Sequence, residues 1–303
     1  MRVRRVIGEG QGAASGFCAL VTGILAMGAL VTGALALATA PAGAIERKSS
    51  TSADLPSSAI IIDQDDRLSR EEYARFAGLS SAATVSRFGA TGVIRCGSAV
   101  GTGQLVGAAN VLVTAAHVLF APDGQPRGRG ANCTFEMLTA SGRQKIPVDV
   151  DKVECGAREP YGAPAVKDWA VVPLVSPAVG VKPYMPGTLR VPGDIVLAAA
   201  ARSGGQENYS LELCHARKVT ATATTGLREV AIDCDAEGGV SGAALLSPEG
   251  AFLGLYVGFR SAHPGQAGPF SMSHYNFGLS ADGTLRAAIA DVATHNRVQS
   301  ASR

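Results

Sequence analysis

Three residues in the chain are of types that can act together in nucleophilic chemistry: His117, Asp168 and Ser241. His117 closes the run Val113-Thr114-Ala115-Ala116-His117, where an apolar strand, Val111 to Thr114, runs into two alanines. Small side chains beside an imidazole let the ring lie against a cleft wall with one nitrogen accessible. Ser241 stands in Gly238-Gly239-Val240-Ser241-Gly242. Glycines around a serine permit a sharp loop that exposes the hydroxyl. The same loop aims backbone N–H groups, here those of Gly239 and Ser241, at one point where they would stabilise an oxyanion. Asp168 immediately precedes Trp169-Ala170-Val171-Val172-Pro173-Leu174. An acid at the mouth of an apolar strand is placed to hold the second nitrogen of a histidine in one tautomer. Taken singly, each has a plainer reading: a packed or surface histidine, a solvated serine in a glycine-rich turn, a strand-capping aspartate.

The elements around these residues are short. From about residue 84 the chain is a series of β-prone runs punctuated by Gly, Pro, Asn and Asp. They are Thr91–Arg95, Gly103–Val106, Val111–Thr114, Ile146–Val150, Ala170–Val175, Ile195–Ala199, Glu229–Ile232, Ala243–Leu246 and Phe252–Val257. Many short strands without long helices between them argue for an all-β barrel or sandwich. Thr284 to Ala293 reads as a helix with Leu285, Ile289 and Val292 on one side. Ser69 to Ala77 reads as a shorter one, with the Ser69 hydroxyl as cap and Glu71 and Glu72 in the first turn.

Ahead of the β-rich part, residues 45–80 are polar and mixed and read as a linker or pro-segment. Residues 1–44 carry Arg2, Arg4 and Arg5 before a long uncharged stretch, with Ala42-Gly43-Ala44 as a cleavable end. This reads as an export signal, or as a membrane anchor where it stays uncleaved. The working domain is then 81–303, secreted or periplasmic. Cysteine usage agrees with export: beyond Cys18 five cysteines remain, enough for at most two bridges. Cys214–Cys234 is favoured because both sit just before the Ser241 loop and could pin it. Cys96–Cys133 comes second and Cys155 is left over. The net charge of +2 and the lack of a basic patch with interleaved aromatics argue against nucleic acid. There is no CxxC pair and the histidines are scattered, so no metal site is expected.

The three candidates stand in the order His117, Asp168, Ser241, which is neither the subtilisin nor the α/β-hydrolase order. Ala243 at the fifth position of the serine loop, with no βαβ pattern around it, also excludes a nucleophile elbow. With its TAAH at His117, Asp-x-Ala-Val at Asp168 and G-x-S-G at Ser241, the chain resembles the trypsin-like peptidases in the broad sense, especially the bacterial V8-like branch. Cys214, Cys234-Asp235 and, more weakly, Asp65-Asp66-Arg67 belong to the same likeness, which covers roughly residues 84 to 292.

The resemblance implies two antiparallel six-stranded β-barrels with the active site between them and a short C-terminal helix. It implies a monomeric endopeptidase acting on polypeptides, without a cofactor, through a His117–Asp168–Ser241 triad and an acyl-enzyme. The oxyanion donors would be Gly239 and Ser241, and the substrate-binding residues Asp235, Tyr256 and Gly258. Departures qualify this. Val240 stands where trypsin has an aspartate that pairs with a newly cut N-terminus, so no such ion pair can form. Cys234 precedes Asp235 instead of following it, which leaves Asp235 either a specificity residue or a turn cap. Leu255-Tyr256-Val257-Gly258 holds no histidine, which argues against the glutamate specificity of the V8-like branch, and His263 and His274 read as surface residues. A non-proteolytic binding protein on the same fold is the alternative.

Overall fold

The computed structural model describes residues 59–301, apart from 140, 141, 203 and 204. The expected signal segment 1–44 lies outside the described residues.

The first elements among the described residues are β1 (Ile61–Ile62) and the helices α1 (Arg70–Phe76) and α2 (Ser81–Phe88). A first β unit follows: β2 (Thr91–Cys96), β3 (Ala99–Leu105), β4 (Val111–Thr114), the short helix α3 (Ala116–Leu119), β5 (Gly130–Thr139), β6 (Gly142–Val148), β7 (Glu154–Cys155) and β8 (Ala170–Pro173). The second unit holds β9 (Gly193–Arg202), β10 (Gln206–Thr222), β11 (Arg228–Ile232), β12 (Ala244–Leu246), β13 (Phe252–Ser261), β14 (Ala267–Gly268) and β15 (His274–Ser280), and α4 (Gly283–Ala301) ends the chain.

The second unit is a closed six-stranded barrel in the order β10-β11-β15-β13-β12-β9. The first is a seven-stranded sheet, β6-β5-β2-β3-β4-β8-β7, antiparallel throughout. It curls until β6 reaches the end of β8: Val148 bridges Leu174, and the Asp149 N–H donates to the Pro173 carbonyl at 2.9 Å. The two-barrel architecture with a C-terminal helix is therefore present, with β7 added at the margin of the first barrel.

Alternation explains why these strands roll up. In β5, Cys133, Phe135 and Met137 are fully buried, and Phe135 packs behind β2 where Gly92 leaves it room. Burial of one such side chain contributes about 1.5–3 kcal/mol. The second barrel has its own apolar filling, with Ile195, Leu197, Val230, Ile232 and Leu245 around the Cys214–Cys234 disulfide. Cys96–Cys133 joins directly opposed positions of β2 and β5, and Cys155 is free. Leu285, Ile289 and Val292 are buried where α4 lies against the first unit.

Of the expected linker or pro-segment 45–80, the described residues 59–80 do not run as a free linker. From Ala59 onward the segment is part of the fold: Ala59, Ile60 and Ile61 are inaccessible to solvent, and β1 pairs in parallel with β14. The Ile60 and Ala236 backbones exchange hydrogen bonds of 2.8 and 3.0 Å. α1 carries a full capping box, with the Glu72 N–H on Ser69 Oγ and the Ser69 N–H on Glu72 Oε2. Such a cap is worth about 1 kcal/mol. Tyr73 then packs edge-on against Phe88 of α2 at 5.4 Å. Four consecutive apolar residues, Ala59 to Ile62, drive the docking despite their polar flanks.

Candidate active site

The strand β4 delivers His117. Its last residue, Thr114, is followed by Ala115 and Ala116, both fully buried, and α3 then turns the imidazole toward Asp168. Asp168 follows a short 3₁₀ turn, Ala165–Lys167, just ahead of β8, which pairs with β4. Two contacts join the pair: His117 Nδ1 lies 2.6 Å from Asp168 Oδ2, and the His117 N–H donates to Asp168 Oδ1 at 2.9 Å. A carboxylate only accepts, so the ring proton sits on Nδ1 and the lone pair is left on Nε2. Arg127 buttresses the turn, its Nε donating to the His117 and Phe120 carbonyls and its Nη2 to the Tyr161 hydroxyl. Tyr161 meets the imidazole edge-on at 6.1 Å.

Ser241 comes from the opposite wall, in the loop between β11 and β12. Gly239 has φ +96° and Gly242 φ +84°, both in the left-handed region that glycine tolerates. Space demands glycine as well. A Cβ on Gly239 would fall 2.8 Å from the Arg202 backbone nitrogen, and one on Gly242 2.3 Å from the Thr102 carbonyl oxygen. Val240, between them, is buried in the second barrel's core. Its N–H donates to the Glu237 carbonyl and its carbonyl accepts the Ala243 N–H, which closes the turn. Among the described residues, neither the Gly239 nor the Ser241 N–H is given to an acceptor. His117, Asp168 and Ser241 line one cavity of about 700 Å³, together with Tyr161, Glu237 and Gly238, and with Tyr256 to Arg260 of β13. No hydrogen bond joins the Ser241 hydroxyl to His117 in this structure.

Residues 101–255, just over half of the chain and spanning all three of these side chains, match the family model described as a trypsin-like peptidase domain. The chain belongs to the trypsin-like peptidases. No curated protein matches it. Among solved structures, a Glu endopeptidase in complex with MPD superposes with a TM-score of 0.56 at 16% identity, covering 78% of this peptidase and 100% of that chain. Deg5 gives 0.46 at 18% identity, over 70% of this chain and 90% of its own. Neuropsin, a serine protease expressed in the limbic system of mouse brain, gives 0.46 at 15%, over 66% and 91%. At 16% identity the likeness to the Glu endopeptidase concerns the fold alone.

The residues expected to bind substrate are divided in this peptidase. Tyr256 and Gly258 line the cavity, but the Tyr256 hydroxyl is turned inward and donates to Asn276 Oδ1 at 2.9 Å. Burial raises its pKa, so it stays a neutral donor. Asp235 is not in the cavity. It is buried beneath the segment 59–68, where Oδ1 accepts the Ile62 N–H and Oδ2 the Asp66 N–H, at 2.7 and 2.8 Å. Each oxygen takes a backbone donor and the group is inaccessible to solvent, so it does not reach a basic substrate side chain in the cavity. Nor is His274 a loose surface residue: Nδ1 meets Ser261 Oγ at 2.9 Å and Nε2 lies 3.3 Å from the Ile61 carbonyl.

The charges that do line the cavity leave no mark in the sequence. Glu237 is almost inaccessible and is held by Arg67 Nη1 at 2.7 Å and Arg202 Nε at 3.1 Å. Arg260 lies over the Phe277 ring at 4.6 Å, with its Nη2 on both oxygens of the buried Glu229. Burial alone would lower the Arg260 pKa, but its hydrogen bonds to Glu229 raise it. No local motif announces these pairs, because the partners are far apart in the chain.

Proposed function

We propose that this trypsin-like peptidase is an exported serine endopeptidase that cleaves polypeptides through an acyl-enzyme. His117 Nε2 takes the proton of the Ser241 hydroxyl as Ser241 Oγ adds to the peptide carbonyl. Asp168 holds the ring in the tautomer this requires and stabilises the imidazolium that forms. The carbonyl oxygen, now negative, is received by the N–H groups of Gly239 and Ser241. Collapse breaks the C–N bond, with the His117 proton going to the leaving amine, and water then releases the acyl group by the same route in reverse. The observation that carries this reading is convergence: a histidine held at Nδ1 by an aspartate lines one cavity with a serine, and the serine's loop carries two N–H groups with no acceptor among the described residues. An extended substrate would lie along β13 beyond Tyr256, where among the described residues no strand pairs on the side away from β15. The proposal of export rests on the leading segment and agrees with two disulfides in one domain.

A fluorophosphonate probe tests the reading. It is expected to label the wild-type protein, to fail with Ser241→Ala and to react far more slowly with His117→Ala. A folded wild-type protein that takes no label would overturn it in favour of a binding protein on the same fold.

A further inference from the structure

Thr102 sits in the middle of β3, fully buried, where the first barrel meets the loop that carries Ser241. All its polar atoms are engaged. Its N–H donates to the Ser241 carbonyl at 2.9 Å. Its hydroxyl donates to the Gly239 carbonyl at 3.0 Å, and the same oxygen accepts the N–H groups of Ala200 and Ala201 at 3.2 and 3.3 Å. Its own carbonyl accepts the hydroxyl of Thr114, three residues before His117, at 2.8 Å. One side chain and the two peptide units that flank it therefore connect the strand that leads to His117 to two carbonyls of the serine loop.

Those carbonyls belong to Gly239 and Ser241, the residues expected to supply the oxyanion N–H groups. A peptide unit is planar, so holding a carbonyl fixes the plane it belongs to. Thr102 fixes the planes that follow Gly239 and Ser241. The plane between Val240 and Ser241, which carries the Ser241 N–H, is fixed by the Ala243 N–H on the Val240 carbonyl at 2.8 Å. Gly239 has no side chain to select its conformation, and glycine occupies several backbone states at similar cost. Its orientation must be chosen from outside, and the Thr102 hydroxyl is the group that reaches it. The surroundings leave little slack. A Cβ on Gly101 would stand 3.1 Å from the Ser241 carbonyl oxygen and press on Val118.

We propose that Thr102 is a positioning residue for the loop that carries the oxyanion donors: its hydroxyl holds the peptide plane between Gly239 and Val240, one of the two planes that meet at the Gly239 Cα, and so restricts the conformations in which the Gly239 N–H can receive the developing negative charge. The inference rests on Ser241 being the nucleophile. Thr102 touches no substrate atom. Its effect therefore falls on the transition state and leaves ground-state binding to β13 as it was.

The test uses the full chain with Thr102→Val, which keeps the shape and the N–H but removes the hydroxyl, and Thr102→Ser, which restores it. Steady-state kinetics on a peptide substrate are compared with inhibition by a peptide aldehyde, whose adduct with Ser241 places an oxyanion in the same site. With Thr102→Val, kcat is expected to fall about 10- to 100-fold, less than the 10²–10³ of losing an oxyanion donor outright, with KM within about twofold. The aldehyde inhibition constant should rise by the same factor as kcat falls, and Thr102→Ser should return both to near wild type. Unchanged kcat in Thr102→Val, a loss confined to KM, or a Thr102→Ser enzyme as impaired as the valine variant would each overturn the proposal. Where the valine variant does not fold, Thr102→Cys, a weak donor of similar size, takes its place, and wild-type kcat there would be equally fatal. Failure of the nucleophile assignment is distinguishable, because the wild-type protein itself would then resist fluorophosphonate.

Discussion

Asp235 Oδ1 accepts the Ile62 N–H at 2.7 Å, across 173 residues of chain. The bond fastens the segment 59–68 to the stretch that leads into Ser241, and further bonds reinforce it. Asn276 Nδ2 donates to the Ile60 and Cys234 carbonyls, and Arg67 reaches Glu237. Replacing Asp235 by alanine would leave one buried and one part-buried backbone donor without this partner, at about 1–3 kcal/mol each with the second toward the low end. Urea unfolding of Asp235→Ala should therefore show a loss of about 2–5 kcal/mol. Because the released segment abuts the serine loop, fluorophosphonate labelling should weaken in parallel. A variant with the wild-type urea midpoint would show that the segment is held by apolar burial alone.

The same region sets an expectation for pH. Glu212 is fully buried and both of its oxygens accept the Asp235 N–H, at 3.0 and 2.8 Å. Burial pushes both carboxyls up, that of Asp235 to about 8, with the Arg67 charge opposing and Asp65 adding to the rise. The folded chain thus keeps protons that the unfolded chain releases from about pH 4 upward. Stability contributed by these groups is complete below that pH and is lost as pH rises toward about 8. Asp65 is also raised by burial, but Arg67 outweighs this and lowers it, so its opposite effect lies at more acid pH. The urea midpoint should be lower at pH 8 than at pH 5.5, and Glu212→Gln should flatten the difference. A midpoint that climbs over this range would contradict the assignment.

The sequence carries the local parts of the site and little of what joins them. β4 and β11–β13 stand close to where alternation and flanking turns put them, and Ser69 caps α1 as its hydroxyl and Glu72 foretell. His117, Asp168 and Ser241 are legible because each sits at a strand end or in a glycine loop, where the residue type is constrained locally. β10 is not legible: it runs from Gln206 to Thr222 with Glu212 buried and Leu213, His215 and Arg217 exposed, so a charge on the inner face and a leucine on the outer one mask its alternation. Asp235 misleads for a different reason. Its neighbours in the chain say nothing of Ile62 and Asp66, which occupy its oxygens from the far end of the domain. Thr102 leaves a faint trace, since glycines on both sides of a strand threonine mark a place where other backbone comes close.

The pairing of His117 with Asp168 makes the sharpest prediction for catalysis. Asp168 holds the imidazole at Nδ1 and the turn at the His117 N–H, so Asp168→Asn keeps one bond and reverses the other. The asparagine carbonyl can still accept the backbone N–H. Its amide would then face Nδ1 as a donor, and the ring would have to place its proton on Nε2 to accept it. No lone pair would remain toward Ser241. The expected result is a fall in kcat of about 10⁴-fold with the urea midpoint close to wild type, measured on the same peptide substrate. Fluorophosphonate labelling should slow with kcat, since both depend on removing the Ser241 proton. If the variant kept its rate within about tenfold, tautomer control by Asp168 would be untenable, because a misprotonated ring offers no base to the serine.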